Sequence, residues 1–253
     1  MFRYISKIIR YWSLKNKNKS QDTAPGKVNN EPLSSDLKRN LEVIKGILRD
    51  SSDVTFHEFN FGHERKFKGA LVFINSLTDK NEIHKNILQP LMYDVLLLKK
   101  DVSMDFSKID TIGKNLISIA GTNKLTLLND LLDHLLAGST ILLVDGSKEA
   151  LAIECHKMES RSIEEPGTEA VVRGPREGFN ENVNVSIALI RRKIKDPDLC
   201  VEKFKIGERT RTGVYIVYIK GVANPELIEE IRKRLSRIKV DAILESGYIE
   251  QFI

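Results

Sequence analysis

The sequence predicts an α/β protein made of two layered α/β subdomains with mixed sheets, joined by a central charged linker. Three observations carry that expectation. Apolar residues recur at helical spacing in several segments, and short continuous apolar runs lie between those segments. Residues 161–178 then break the pattern with Pro166, Pro175, Gly167, Gly174 and Gly178 among charges of both signs. The expected division is a basic leader and flexible linker over 1–35, a first subdomain over 36–158 and a second, α-β-β-α, over 159–253.

The 253 residues are 41% hydrophobic and 30% charged, enough to bury a sizeable core and to exclude a wholly disordered chain. The net charge of +5 is misleading as a guide to the folded part. Residues 1–20 hold Arg3, Lys7, Arg10, Lys15, Lys17 and Lys19 with no acid, so 5 − 6 = −1 is left for the remainder. Nothing in that balance points to nucleic acid. The leader also carries Phe2, Ile5, Ile8, Ile9 and Trp12, which suits an anionic membrane surface and equally a solubilising tail. Charge interrupts its apolar residues throughout, unlike a signal peptide. No run approaches the ~18–20 apolar residues of a membrane span. Cys155 and Cys200 lie far apart with no CxxC, as expected of two reduced, buried thiols.

Residues 16–35 are polar and aperiodic and read as linker. Asp36 is placed to cap a helix with the stripe Leu37, Leu41, Ile44 and Leu48. Residues 54–61 read as a strand with a bulge or a twisted edge, because Val54 and Phe56 differ in phase from Phe59 and Phe61. The run 69–74 (GALVFI) has the composition of a strand covered on both faces. Asp79 with Glu82 opens a helix bearing Ile83, Ile87 and Leu91, with Pro90 near its end. A further strand is expected over 115–120 and a helix over 123–137, closed by Gly138. Strands 140–144 and 150–155 flank Asp145-Gly146, a favoured two-residue hairpin pair.

After the central linker, Asn180 caps a helix over 181–194 whose stripe is Val183, Ile187, Ile190 and Ile194, with Arg191, Arg192 and Lys193 where a helix dipole favours cations. Strands 199–206 and 214–220 form an antiparallel pair, and Asn224-Pro225-Glu226 starts a helix with the stripe Leu227, Ile228, Ile231, Leu235 and Ile238.

No sequence signature of catalysis stands out: there is no G-x-S-x-G, no H-E-x-x-H and no spaced acidic loop. No cofactor is expected and no metal site. The five histidines fall in different elements. The candidate ligand or interface residues are Arg161, Glu164, Glu165, Arg173, Arg176 and Glu177. Glu164 and Glu165 are adjacent, so a structural or ion-pairing role suits them better than acid–base work. The loop 173–178 is neither G-x-G-x-x-G nor a Walker loop, since Pro175 removes an amide and no Gly-Lys-Ser follows. Three readings stay open for its arginines: a bound small anion, internal pairing with Glu164, Glu165 and Glu169, and contact with another subunit.

The runs RSIEEP (161–166), VVRGPREGFNENV (171–183), ALIRRKIKDPDL (188–199), VYIKGVANPELIEEIRKRL (217–235) and ILESGYIEQFI (243–253) resemble the A subunits of bacterial spore nutrient-germinant receptors, the GerA family. The resemblance is specific from Leu125 onward. It implies a non-enzymatic receptor component that continues into transmembrane helices beyond Ile253, with this part on the cytosolic, core side of the spore inner membrane. The implied partners are B and C receptor subunits, and the implied stimulus is a nutrient such as an amino acid, sugar or nucleoside. The alternative from another class is a stand-alone solute-binding module or an enzyme acting on a small anionic metabolite.

Overall fold

A computed structural model describes residues 30–48, 51–97, 108–117, 119, 121–156, 178–179 and 181–253. The elements in chain order are α1 (Leu37–Leu48), β1 (Val54–Phe61), β2 (Phe67–Ile74), the helical segment α2 (80–97), α3 (Ile109–Asn115), β3 (Thr122–Leu125), α4 (Leu128–Ala137), β4 (Thr140–Val144) and β5 (Ala150–Ile153). They are followed by α5 (Val183–Lys193), β6 (Leu199–Ile206), β7 (Thr212–Ile219), α6 (Pro225–Arg237) and α7 (Ser246–Phe252).

Five strands form one sheet in the order β1-β2-β4-β5-β3, and β6 with β7 forms a second. Among the described residues every strand pair is antiparallel, which corrects the expected mixed sheets while keeping the α/β class. The apolar runs signalled burial on both faces, and two-sided burial does not fix strand direction. Side chains alternate accordingly. Ala70, Val72, Ile74, Ile141 and Leu143 join α1 and α4 in one core, while Leu71, Phe73, Leu142, Val144 and Ile153 join α2 and α3 in another.

Helix α1 begins as expected at Asp36, whose Oδ1 accepts from the Lys38 and Arg39 amides, and Asp145 Oδ1 accepts from the Leu37 amide. Asp145 therefore caps a helix from the β4–β5 connection, which runs over 145–149 instead of making a two-residue hairpin. The expected linker also ends earlier. Leu33 is buried, its amide donates to the Thr126 carbonyl, and Asn40 exchanges hydrogen bonds with Ser34 in both directions.

Strand β1 pairs with β2 through an unbroken register from Val54↔Ile74 to Phe61↔Phe67, so the edge reading holds and the bulge does not. Asp79 caps α2 by accepting from the Asn81 and Glu82 amides. Pro90 does not end that helix: π-type turns at His84–Leu88 and Pro90–Asp94 carry the chain past it, with Ile83, Ile87, Leu91 and Val95 buried along one side. The strand expected at 115–120 is displaced; Asn115 ends α3, and β3 takes Thr122–Leu125, the first part of the helix expected over 123–137. Leu125 fits the expected helical spacing, and sheet pairing with β5 overrode it. Helix α5 is capped by Asn182, two residues after the expected cap, and β7 starts at Thr212.

Two glycine substitutions should move stability in opposite directions. Gly138 closes α4 at φ 103°, and a Cβ there would lie 3.2 Å from His156 Nδ1 and from Leu77 Cβ. Gly138→Ala should therefore cost at least about 1–2 kcal/mol in urea unfolding. Gly46, exposed in α1 with open space around its Cα, should give about 0.5–1 kcal/mol of added stability as Gly46→Ala.

Candidate functional site: the seam between the two sheets

The two sheets meet where the loop after α1 touches α5 and β6. Arg191, on α5, is fully buried. Its Nε donates to Asp53 Oδ2 at 3.0 Å and its Nη2 to Asp53 Oδ1 at 2.9 Å, a bidentate pair across 138 residues of chain. Nη2 also donates to Ser51 Oγ at 2.6 Å. That hydroxyl accepts a second bond from the Val201 amide at 3.1 Å and donates to the Leu199 carbonyl at 3.3 Å, which uses its one donor and two acceptor sites. Beside it the Ser52 amide donates to the Val201 carbonyl at 2.7 Å. Arg191 Nη1 is buried with no hydrogen-bond partner.

Local structure explains the placement. Ser51 turns the chain back onto α1 through a bond from its amide to the Leu48 carbonyl, and the Asn75 amide fixes the Asp53 carbonyl at the end of β2. The carboxylate is thus held at one end of the large sheet, facing α5. Ala188, one turn before Arg191, packs into the core shared with α1 and α4. Removing two charges from water costs several kcal/mol per ion, so such a pair persists only with near-saturated bonding. It fixes orientation more than it adds stability.

A second charged cluster lies under α6. Arg232 reaches Glu202 through Nε at 2.9 Å and through Nη2, and Glu229 through Nη1 at 3.1 Å, while Tyr218 Oη donates to Glu202 Oε1 at 2.6 Å. Burial, then the Glu202 hydrogen bond, pushes the Tyr218 phenol above its ordinary range, and the Glu202 and Glu229 hydrogen bonds hold Arg232 charged. The cluster locks α6 onto β6 and β7. A cleft of about 360 Å³ opens beside the N-terminus of α1, lined by Asp36, Lys38, Glu58, Asn60, Lys68 and Asp145. Among the described residues no group of three or more His, Cys, Asp or Glu is arranged to hold a metal, and no helix is long and apolar enough to cross a membrane.

Both cysteines are buried and outside any disulfide, Cys200 Sγ donates to the Asp198 carbonyl at 3.4 Å, and burial pushes Cys155 up to about 11. The expected residues Arg161, Glu164, Glu165, Arg173, Arg176 and Glu177 lie outside the described residues. Sequence reasoning missed Ser51, Asp53 and Arg191. One signal was present: Arg191 sits four residues after Ile187, on the apolar side of α5.

Arg191→Met should cost about 3–5 kcal/mol in urea unfolding because it strands a buried carboxylate. Adding Asp53→Asn should recover part of that loss, a coupling that a double-mutant cycle measures. Alkaline pH gives a further check. The Cys155 thiol ionises near 9.0 when unfolded and near 11 when buried, so the folded state keeps its full advantage below pH 9 and loses it as pH rises to 11. Cys155→Ala should flatten the stability profile across that window.

The family model described as Bacillus/Clostridium GerA spore germination protein matches residues 42–253, reaching back well before Leu125. Spore germination protein KA of Bacillus subtilis (strain 168) is 35% identical over 87% of this chain and 40% of its own length. Spore germination protein GerLA of Bacillus cereus is 36% identical over 87% of this chain and 44% of its own. The chain thus spans about two-fifths of the curated relatives it matches. The crystal structure of the N-terminal domain of the A subunit of the Bacillus megaterium spore germinant receptor GerK3 superposes with a TM-score of 0.65 at 31% identity, over 88% of this chain and 80% of that one. The chain belongs to the GerA family of spore germination proteins.

Proposed function

We propose that this chain is the N-terminal region of a germinant-receptor A subunit, acting in germinant sensing, receptor assembly and signal transmission that lead to spore germination. The observation that carries the reading is the match along most of the chain to the corresponding domain of the GerK3 A subunit. B and C subunits are its proposed partners. A nutrient amino acid, sugar or nucleoside is the proposed stimulus, with no catalysis assigned to the domain. The full-length protein would sit in the spore inner membrane with this region on the core side, a placement supported by the six cations and absent acids of residues 1–20.

Two units are proposed to meet near residues 156–162, with the charged segment 161–180 as a joint. The described seam supports transmission through that region. Arg191, Asp53 and Ser51 tie α5 and β6 to the loop after α1, so displacing one unit must either break a buried ion pair or move the other. In this reading the pair is seated in one signalling state, the arrangement described here, and unseated in the other.

Charge reversal at Arg176 in the full-length protein, with fold and abundance intact, should abolish nutrient-triggered germination; a wild-type response removes the segment from the mechanism. Titration calorimetry of the purified chain against a nutrient panel should give a saturable, roughly micromolar heat for one compound if this region senses. Silence across the panel assigns sensing to another subunit.

A further inference from the structure

Strand β7 ends the second sheet, and its eight residues, TGVYIVYI, hold no charge and no proline. Its register with β6 is unbroken from Leu199↔Ile219 to Ile206↔Thr212, so no bulge turns it away from a further strand. The Lys220 amide donates to the Asp198 carbonyl in that register, which fixes the parity of the ladder. Val214, Ile216 and Tyr218 direct their main-chain groups toward β6, and Gly213, Tyr215 and Val217 direct theirs outward. Val201 obeys the same parity on the far side of β6, where Ser51 and Ser52 take its outward groups. Among the described residues nothing bonds to the outward groups of Gly213, Tyr215 and Val217.

We propose that this edge pairs with the same edge of a second copy of the chain, antiparallel about a two-fold axis through Tyr215. The strand is complementary to itself, which is what such an axis demands of a patch that must meet its own copy. Centring the pair on Tyr215 sets Tyr215 opposite Tyr215 and Gly213 opposite Val217, so the outward residues of both copies meet in hydrogen-bonded positions and exchange about six main-chain bonds. A register displaced either way recruits a residue already committed: the Ile219 carbonyl accepts from the Val222 and Ala223 amides, and the Arg211 amide donates to the Gly207 carbonyl. On the face away from α6, Val217 of one copy comes beside Gly213 of the other, where no side chain stands, and against the Tyr215 ring. That ring already leans over the glycine, since a Cβ on Gly213 would lie 3.1 Å from Tyr215 Cε2. On the other face Val214 comes opposite Ile216, and both belong to the cluster under α6, so the two clusters join. Beyond the paired residues Arg211 comes opposite Ile219 and Lys220 opposite Thr210, so no like charges oppose each other across the ladder. A two-stranded ribbon is marginal alone, and pairing makes it a four-stranded sheet. The proposal is independent of the germination reading, and the failure of either leaves the other standing.

Sedimentation velocity and amide hydrogen exchange on the whole 253-residue chain test it. One strand pair is a small interface, so the dimer should grow in between roughly 10 µM and about 500 µM protein. Over the same range the Gly213, Tyr215 and Val217 amides should slow about tenfold or more, while those of Val214 and Ile216, bonded to β6 throughout, change little. Tyr215→Glu keeps an opposite charge across from Lys203 within the chain but sets two carboxylates against each other on the axis, and it should remove the dimer. Val217→Pro, which removes only an outward-facing N–H, should do the same with far-UV circular dichroism and melting temperature unchanged. Mixing the Tyr215→Glu chain with a Lys203→Glu/Tyr215→Lys chain should restore a one-to-one heterodimer, because residue 215 meets its own counterpart only in this register. The proposal is overturned if the wild-type chain stays monomeric at about 500 µM, which leaves the edge to a different polypeptide. It is equally overturned if the dimer persists in the Tyr215→Glu or Val217→Pro chain, or if the mixture stays monomeric.

Discussion

A guanidinium with no exposed surface, clamped by one carboxylate and one hydroxyl, fixes how the halves of this molecule sit. Arg191 faces Asp53 and Ser51 because α5 presents it where Ile187 and Ala188 have already entered the core, so withdrawing it would drag apolar surface into water. Ser51 matters as much as the charges. Its hydroxyl serves the arginine, the Val201 amide and the Leu199 carbonyl together, and replacing it with a methyl group would leave three buried polar groups short of a partner. One small side chain thus links a loop, a helix and the first residues of the second sheet.

On one side of the seam stands a five-stranded sheet whose central strands are dry on both faces; on the other stands a two-stranded ladder covered by α6, with Ile249 of α7 packed against the same cluster. A two-stranded ribbon is marginal alone. Here its stability comes from α6, through Leu235, Ile231 and the Glu202–Arg232–Tyr218 cluster, and from its attachment at Ser51 and Ser52. The smaller unit is anchored at one strand end and along one face, which leaves the far edge as its least supported part.

Much of the architecture was legible from residue order. Asp36, Asp79 and Asn224 each cap the helix they precede, Gly138 adopts the left-handed conformation that closes α4, and GALVFI forms the twice-covered strand. What failed had physical causes. Leu125 satisfies helical spacing with Leu128 and Leu132, yet pairs with Ala150 in a ladder, because a contact remote in sequence outweighs a local preference. Asp145 looked like turn chemistry and serves as a helix cap contributed from a distant loop. Strand direction was invisible because burial leaves no trace of polarity. The seam escaped because 138 residues separate Asp53 from Arg191, and a cation in the last turn of a helix has a ready local explanation.

The buried positions of α2 recur every four residues, at Ile83, Ile87, Leu91 and Val95, and all four are sealed against the sheet. An ordinary α-helix turns 100° per residue, so a strict four-residue repeat would wander about 40° at each step and carry Val95 round towards solvent. The wider turns on either side of Pro90 slow that rotation and hold the stripe in line. A repeat of four in place of 3.6 is therefore a written instruction for an underwound helix, with the proline set where its missing amide costs least. Deleting one residue between 84 and 90 would bring Ile83 and Leu91 to the spacing of about two ordinary α-helical turns, so the same stripe would stay on the sheet only if the helix gave up its wider turns and returned to normal pitch.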